Sequence, residues 1–182
     1  MTEREQGPGY SEAELNLAQQ RFDLRFPPDL SDLFRSRRPS KWYDWLLDGH
    51  KIDEMLAKPI QGMVNDARYN STWWPEWGER PRSEAEQSRI VQRMANEAPK
   101  LIPLRGNRFI PEEPHDRGNP IFSVMGGDII YYGYDLENFL ENDGLDLHQA
   151  SDFRLVGKLR RISFWSDAVE RAYDPAFKMT DG

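Results

Sequence analysis

The sequence predicts an α+β domain, and three observations carry that prediction. Apolar residues recur at helical spacing up to Pro99, and from Leu101 the period shortens to that of strands. Between the helical stretches lies Trp73-Trp74-Pro75-Glu76-Trp77-Gly78-Glu79-Arg80-Pro81, which holds three of the six tryptophans. Its two prolines and one glycine exclude a regular helix or an inner strand, so it is a folded loop. Helices first and a strand meander afterwards is the order of a segregated α+β fold, with helices packed on a mainly antiparallel, twisted sheet.

Met1–Gly9 is polar and reads as a tail, so residues 1–10 are expected outside the fold, 11–175 as one domain and 176–182 as a second tail. Ser11 and Glu14 have capping-box spacing and open a helix to about Arg21, with Leu15, Ala18 and Phe22 on one stripe. Pro27-Pro28 pre-sets a second helix carrying Leu30, Leu33 and Phe34. Arg35–Ser40 is basic and expected to be exposed. Trp42, Trp45 and Leu46 fit one helical face before Asp48-Gly49 breaks it. Ile52, Met55 and Leu56 predict a short helix ended by Pro59, then a turn at Gln61-Gly62 and a short strand at Met63-Val64.

Beyond the tryptophan loop, Ser83 and Glu86 form a second capping-box pattern. Ile90, Val91, Met94 and Ala98 make the inner face of a helix ended by Pro99, with Gln87 among the polar positions outside that stripe. Strands are expected at Leu101–Leu104, Arg108–Pro111, Pro120–Met125 and Asp128–Tyr132. Gly126-Gly127 marks a two-residue hairpin, because both positions tolerate positive φ. Asp135 caps a helix bearing Leu136, Phe139 and Leu140, and Asp143-Gly144 stops it. Leu145–Lys158 reads as polar loop, Arg160–Trp165 as a strand or strand-like edge, and Ser166 as the cap of a last helix.

Thirty-one acidic residues against 24 basic ones give a net charge of -7. That balance disfavours a nucleic-acid partner, since phosphate contacts need clustered Lys and Arg, and favours a basic protein partner. The absence of cysteine removes disulfides, thiolate metal sites and thiol nucleophiles. No apolar run approaches the roughly 20 residues that span a bilayer, and no signal-peptide core opens the chain. A soluble, cytoplasmic protein is the expectation. Nothing in the sequence sets its oligomeric state.

No nucleophile elbow, phosphate-binding loop or dinucleotide fingerprint is present, and no catalytic residue or cofactor is assigned. Glu112, Glu113, His115 and Asp116 carry groups that bind divalent metals. Pro114 and Gly118 make that stretch an irregular loop, so a solvated acidic loop is expected and no metal is assigned. Tyr131, Tyr132 and Tyr134 either fill the core in alternation or present an aromatic surface. The same choice applies to Trp73, Trp74 and Trp77, which either plug the core or wall a ligand pocket with Glu79 and Arg80.

Taken together these residues resemble the SUKH superfamily, named for the Smi-one/Knr-four regulators of fungal cell-wall synthesis and including bacterial immunity proteins. The helix and turn from Leu15 to Phe34, with Phe26-Pro27-Pro28-Asp29-Leu30, are similar to the family's N-terminal pattern. A bacterial subgroup is matched by Leu56 through Pro59, Gly62-Met63-Val64, Trp73 through Pro81, and the strand block Pro99 through Pro111. Asn119 through Val124 and Asp128 through Gly133 continue the match, which spans about 15–140. The chain departs from the subgroup at Asn65 and Ala67, where apolar residues are usual.

The resemblance implies helices on one side of the sheet and a non-enzymatic binding protein. It further implies an immunity protein that neutralises a toxin, and it supplies no catalytic residues. On that reading Glu112, Glu113 and Asp116 are rim charges facing a basic toxin domain, with Tyr131 and Tyr132 as anchors. A scaffold that recruits cellular proteins, and a small-ligand binder or enzyme using the Trp73–Trp77 loop, are the other readings.

Overall fold

A computed structural model of the chain describes residues 7–69, 73–142 and 158–173. The expected C-terminal tail and nearly all of the Leu145–Lys158 loop lie outside the described residues. Helix α1 (Glu12–Phe22) starts from a complete capping box: the Glu14 amide donates to Ser11 Oγ at 3.3 Å, and the Ser11 amide donates to Glu14 Oε2 at 2.7 Å. Pro28 opens α2 (Pro28–Ser36).

Order begins ahead of residue 11. Strand β1 (Gly7–Pro8) pairs antiparallel with β2 (Arg37–Arg38), so the basic stretch after α2 is not simply exposed. The Arg38 guanidinium lies 4.1 Å from the Tyr10 ring centroid and pairs with Glu14 at 3.0 Å. Tyr10 is buried, and its hydroxyl accepts the Trp45 amide at 3.1 Å. Burial pushes the Tyr10 hydroxyl pKa up to about 12.

Trp42 and Trp45 do not share a helix. Asp44 Oδ1 accepts the amides of Leu46 and Leu47 at 3.0 and 3.2 Å, and Asp48 Oδ2 accepts the Asp44 amide at 2.9 Å. Such local bonds compete with helix formation. The turns they build drive Trp45 into an aromatic nest with Phe22 and Phe26 at centroid distances of 5.5 and 4.8 Å.

The largest departure from the sequence expectation is α3, which runs unbroken from Gly49 to Tyr69. Pro59 does not end it, Gln61-Gly62 is not a turn and Met63-Val64 is not a strand. An interior proline costs about 3 kcal/mol, which the buried face of Ile52, Pro59, Met63 and Ala67 offsets by packing. Ala67 is fully buried on that face. Gly62 serves a close approach: a Cβ there would stand 2.6 Å from Gly126 Cα. One on Gly127 would stand 2.1 Å from Asp66 Oδ2. Two glycines thus let one helix rest on the tip of a hairpin.

Helix α4 (Glu84–Asn96) starts at Ser83 without a side-chain cap, so the second capping box does not form. Glu84 pairs instead with Arg68 of α3 at 2.7 Å. Gln87 is buried, contrary to its placement among outer polar positions. Its amide donates to the Pro81 carbonyl at 2.6 Å and accepts Arg80 at 3.4 Å.

Strands β3 (Leu101–Arg105), β4 (Arg108–Pro111), β5 (Ile121–Met125) and β6 (Asp128–Gly133) form an antiparallel meander in that order. Gly126, at φ 65°, turns the β5–β6 hairpin, where Met125 pairs with Asp128. Ile102 and Ile110 are cross-strand partners and join the cluster built by α1, α2, Trp42 and Trp45. Phe109 pairs with Phe122, and Val124 with Ile129, in a second cluster with Met63, Trp74, Trp77 and Val91. Adjacent strand residues point to opposite faces. The sheet is therefore covered on both faces, not on one side as the resemblance implies. Antiparallel sheets often leave one face wet; the unbroken apolar run Leu101-Ile102-Pro103-Leu104 is the local sign that this one does not.

Asp135 caps α5 (Leu136–Asn142) by accepting the Asn138 amide at 2.8 Å. Arg160–Trp165 is an irregular turn, not a strand, leading into α6 (Trp165–Tyr173). Ser166 lies inside the first turn of α6. Its Oγ accepts the Ile162 amide at 2.8 Å and the Tyr131 hydroxyl at 2.7 Å.

Gly62→Ala tests the α3–hairpin contact, because the two effects of the change have opposite signs. Helix propensity alone favours alanine by about 1 kcal/mol, yet the added methyl strikes backbone. We expect a net loss of about 1–3 kcal/mol in urea unfolding, as for overpacked sites. A stabilised variant would show that α3 and the hairpin are not in contact.

Candidate functional site

The tryptophan loop contains a single 3-10 turn, Pro75–Trp77. Trp74 and Trp77 are both buried and stack at 4.7 Å with 19° between their planes. Trp73 is half-buried, meets Trp77 edge-on at 5.3 Å and donates its indole N–H to the Gly78 carbonyl at 2.7 Å. Arg80 ties the loop to α3 through the Ala67 carbonyl at 2.7 Å, while Glu79 is exposed. From the other side Phe164 meets Trp74 at 5.1 Å and Trp165 at 5.0 Å, and the Trp165 indole donates to the Pro99 carbonyl at 2.7 Å. The loop is thus mainly a structural joint, with indole edges left on one side.

Those edges border a cleft of about 640 Å³ between the loop, the C-terminal end of α4 and the start of α6. Trp74, Trp77, Phe164 and Met94 form its apolar wall. Four carboxylates line it (Glu76, Glu97, Asp167 and Glu170) against two guanidiniums, Arg161 and Arg171. Both guanidiniums are engaged within the chain. Arg161 pairs with Asp167 and Glu170. Arg171 pairs with Glu76 and lies 4.9 Å from the Trp74 centroid. The Glu76 carboxyl is held below its usual range first by its own backbone N–H and then by Arg171. Glu97, the C-cap residue of α4, is exposed and has no side-chain partner among the described residues.

One wall residue is strained. Phe164 has φ 70°, a region that bulky L-residues rarely adopt. Its amide donates to Asp167 Oδ2 at 3.2 Å, and its ring is wedged between two indoles, so the surroundings hold the backbone there.

Of the candidate site residues read from the sequence, Trp74 and Trp77 line this cleft. Glu112 and Glu113 both pair with Arg25, Glu112 at 3.7 Å, and Asp116 pairs with Arg160 at 3.2 Å. Asp29 accepts the Gly118 amide at 3.0 Å, and buried Asn119 donates to the carbonyls of Pro111 and Pro114 at 3.1 and 2.8 Å. The acidic loop is therefore stapled to the body instead of standing free in solvent. Burial pushes the Glu112 carboxyl above its ordinary 4.5, against the pull of Lys100 and Arg25.

Tyr131 is half-buried and Tyr132 buried. Tyr131 stacks on Phe122 at 5.1 Å and bonds Ser166, while Tyr132 is buried with the Arg108 guanidinium 3.7 Å from its centroid. Among the described residues no group of three or more acidic or imidazole side chains converges as a metal site, and no helix is long and apolar enough to cross a membrane. Sequence reasoning missed Glu97, Arg161, Phe164 and Arg171, since only tertiary packing brings α6 to the tryptophan loop.

Fold and cleft define the class: an α+β domain with a doubly covered antiparallel sheet and an acidic, aromatic-walled surface cleft. No protein-family model matches the chain, nor does any curated protein or solved structure.

Two measurements check this geometry. A non-glycine residue at left-handed φ is disfavoured by about 1–2 kcal/mol, so Phe164→Gly should unfold at higher urea than Phe164→Ala, by about 1 kcal/mol. Equal stability would mean that φ is not left-handed in solution. Glu112 tests the charge network. Its folded pKa is raised above the unfolded one, so its contribution is fully present below the unfolded pKa and is lost as pH rises through the folded value. Glu112→Gln should therefore raise Tm near neutral pH and lose that advantage below about pH 4. A lowered Tm at neutral pH would show that the Arg25 pair outweighs burial.

Proposed function

We propose that this chain is a protein-binding domain of the SUKH type that acts as a bacterial immunity protein, neutralising a basic toxin domain by occupying it. The observation that carries this reading is the charge of the cleft. Its two guanidiniums are already matched by carboxylates, so what it offers a partner is negative charge beside an aromatic wall. A net charge of -7 adds long-range attraction for a basic partner and speeds encounter. The resemblance along 15–140 supports the same class of function. On this reading the cleft adds to the acidic loop as negative surface, the loop's Glu112, Glu113 and Asp116 being paired with Arg25 and Arg160.

The volume of the cleft also suits a small ligand, since such sites run about 300–1,000 Å³. The charge excess favours the protein partner.

Co-expression with the toxin encoded by a neighbouring gene is the direct test. The expected outcome is restored growth and an equimolar complex whose association slows as salt rises from about 50 to about 200 mM. A toxin that kills equally with and without this chain, and does not co-purify with it, would overturn the reading.

A further inference from the structure

The cleft already displays a way of seating a guanidinium. Arg171 lies against the Trp74 indole while its charge is met by Glu76. The same pairing of a guanidinium with an aromatic ring recurs at Arg38 on Tyr10 and at Arg108 on Tyr132. Unlike an ammonium, a guanidinium both stacks on a ring and forks onto a carboxylate, which makes such a seat selective for arginine over lysine.

Part of the cleft remains open beyond the chain's own arginines, and its features converge on a cation. Glu97 stands there with no side-chain partner among the described residues. It stands at the C-terminal end of α4, where the negative end of the helix dipole lies. Met94 and the edge of Trp77 supply apolar surface for an aliphatic stem. An anion entering here would meet Glu97, with both guanidiniums already paired to carboxylates of the chain.

We propose that the cleft is a seat for an arginine side chain in a basic, extended segment of a protein partner, with Glu97 as the carboxylate that receives the guanidinium. The assignment rests on reading the cleft as the partner-binding site and adds which side chain it selects.

The test uses the full chain and three probes: a blocked hexa-arginine peptide, a blocked hexa-lysine peptide and free argininamide, each titrated at low salt and followed by tryptophan fluorescence. Hexa-arginine should bind at least about threefold more tightly than hexa-lysine, and more tightly than argininamide. Glu97→Gln, at an exposed position, should keep the wild-type Tm and weaken hexa-arginine binding about threefold to fivefold. Glu86→Gln removes an equal charge from the first turn of the same helix, roughly 16 Å away along its axis, and should leave binding unchanged. Four outcomes would each overturn the arginine seat: no binding of hexa-arginine, equal binding of the two peptides, equal binding of argininamide, or equal effects of the two variants. The broader reading fails separately, since a toxin can be neutralised through another surface while Glu97→Gln leaves peptide binding untouched.

Discussion

The resting of α3 on the tip of the β5–β6 hairpin is the constraint from which most of this architecture follows. Helix and strand backbones touch where Gly62 meets Gly126, and Asp66 fills the space over Gly127. A side chain at Gly62 would strike the backbone of Gly126 and lift the helix from the hairpin. Close contact lets the C-terminal half of α3 cover one sheet face with Met63 and Ala67. That placement sets where the chain leaves α3, hence where the tryptophan loop and α4 lie. Pro59 is tolerated for the same reason: the helix is held by packing on either side of it, and one lost backbone bond does not undo that.

The cleft is a by-product of the same arrangement. The stacked pair Trp74 and Trp77 joins helices to sheet, and α6 closes on it through Phe164, Trp165 and Arg171. Three elements distant in sequence therefore share one concave border. Its electrostatics follow from pairing. When two arginines are matched within the border, the remaining carboxylates set its sign, and a strained Phe164 keeps the wall in place.

Much of the fold was legible because its signals are local. The Ser11–Glu14 box, the Gly126-Gly127 hairpin, the Asp135 cap and all four strands of the meander depend on residues within a few positions of one another. Trp73, Trp74 and Trp77 were read as either plugging the core or walling a pocket; Trp74 and Trp77 are buried and border the cleft. The failures have physical causes. Pro59 signals a helix end unless buried contacts on both sides override it. Ser83-Glu86 has capping spacing, yet the Ser83 side chain makes no cap hydrogen bond, and the first-turn carboxylate that pairs with α3 is Glu84, to Arg68. Tyr131 and Tyr132 look like an aromatic surface until α5 and α6 pack over them.

By itself, then, the sequence determined the α+β class, the order of most elements and the net negative charge, because propensity, period and composition are properties of short stretches or of the whole chain. Only the tertiary structure decided that the sheet is covered on both faces, that α3 is one helix and that the acidic loop is stapled to the body. It also decided that Glu97 and the two arginines meet the tryptophans in one cleft. Each of these depends on which side chains meet across long sequence separations, and no local pattern encodes such meetings.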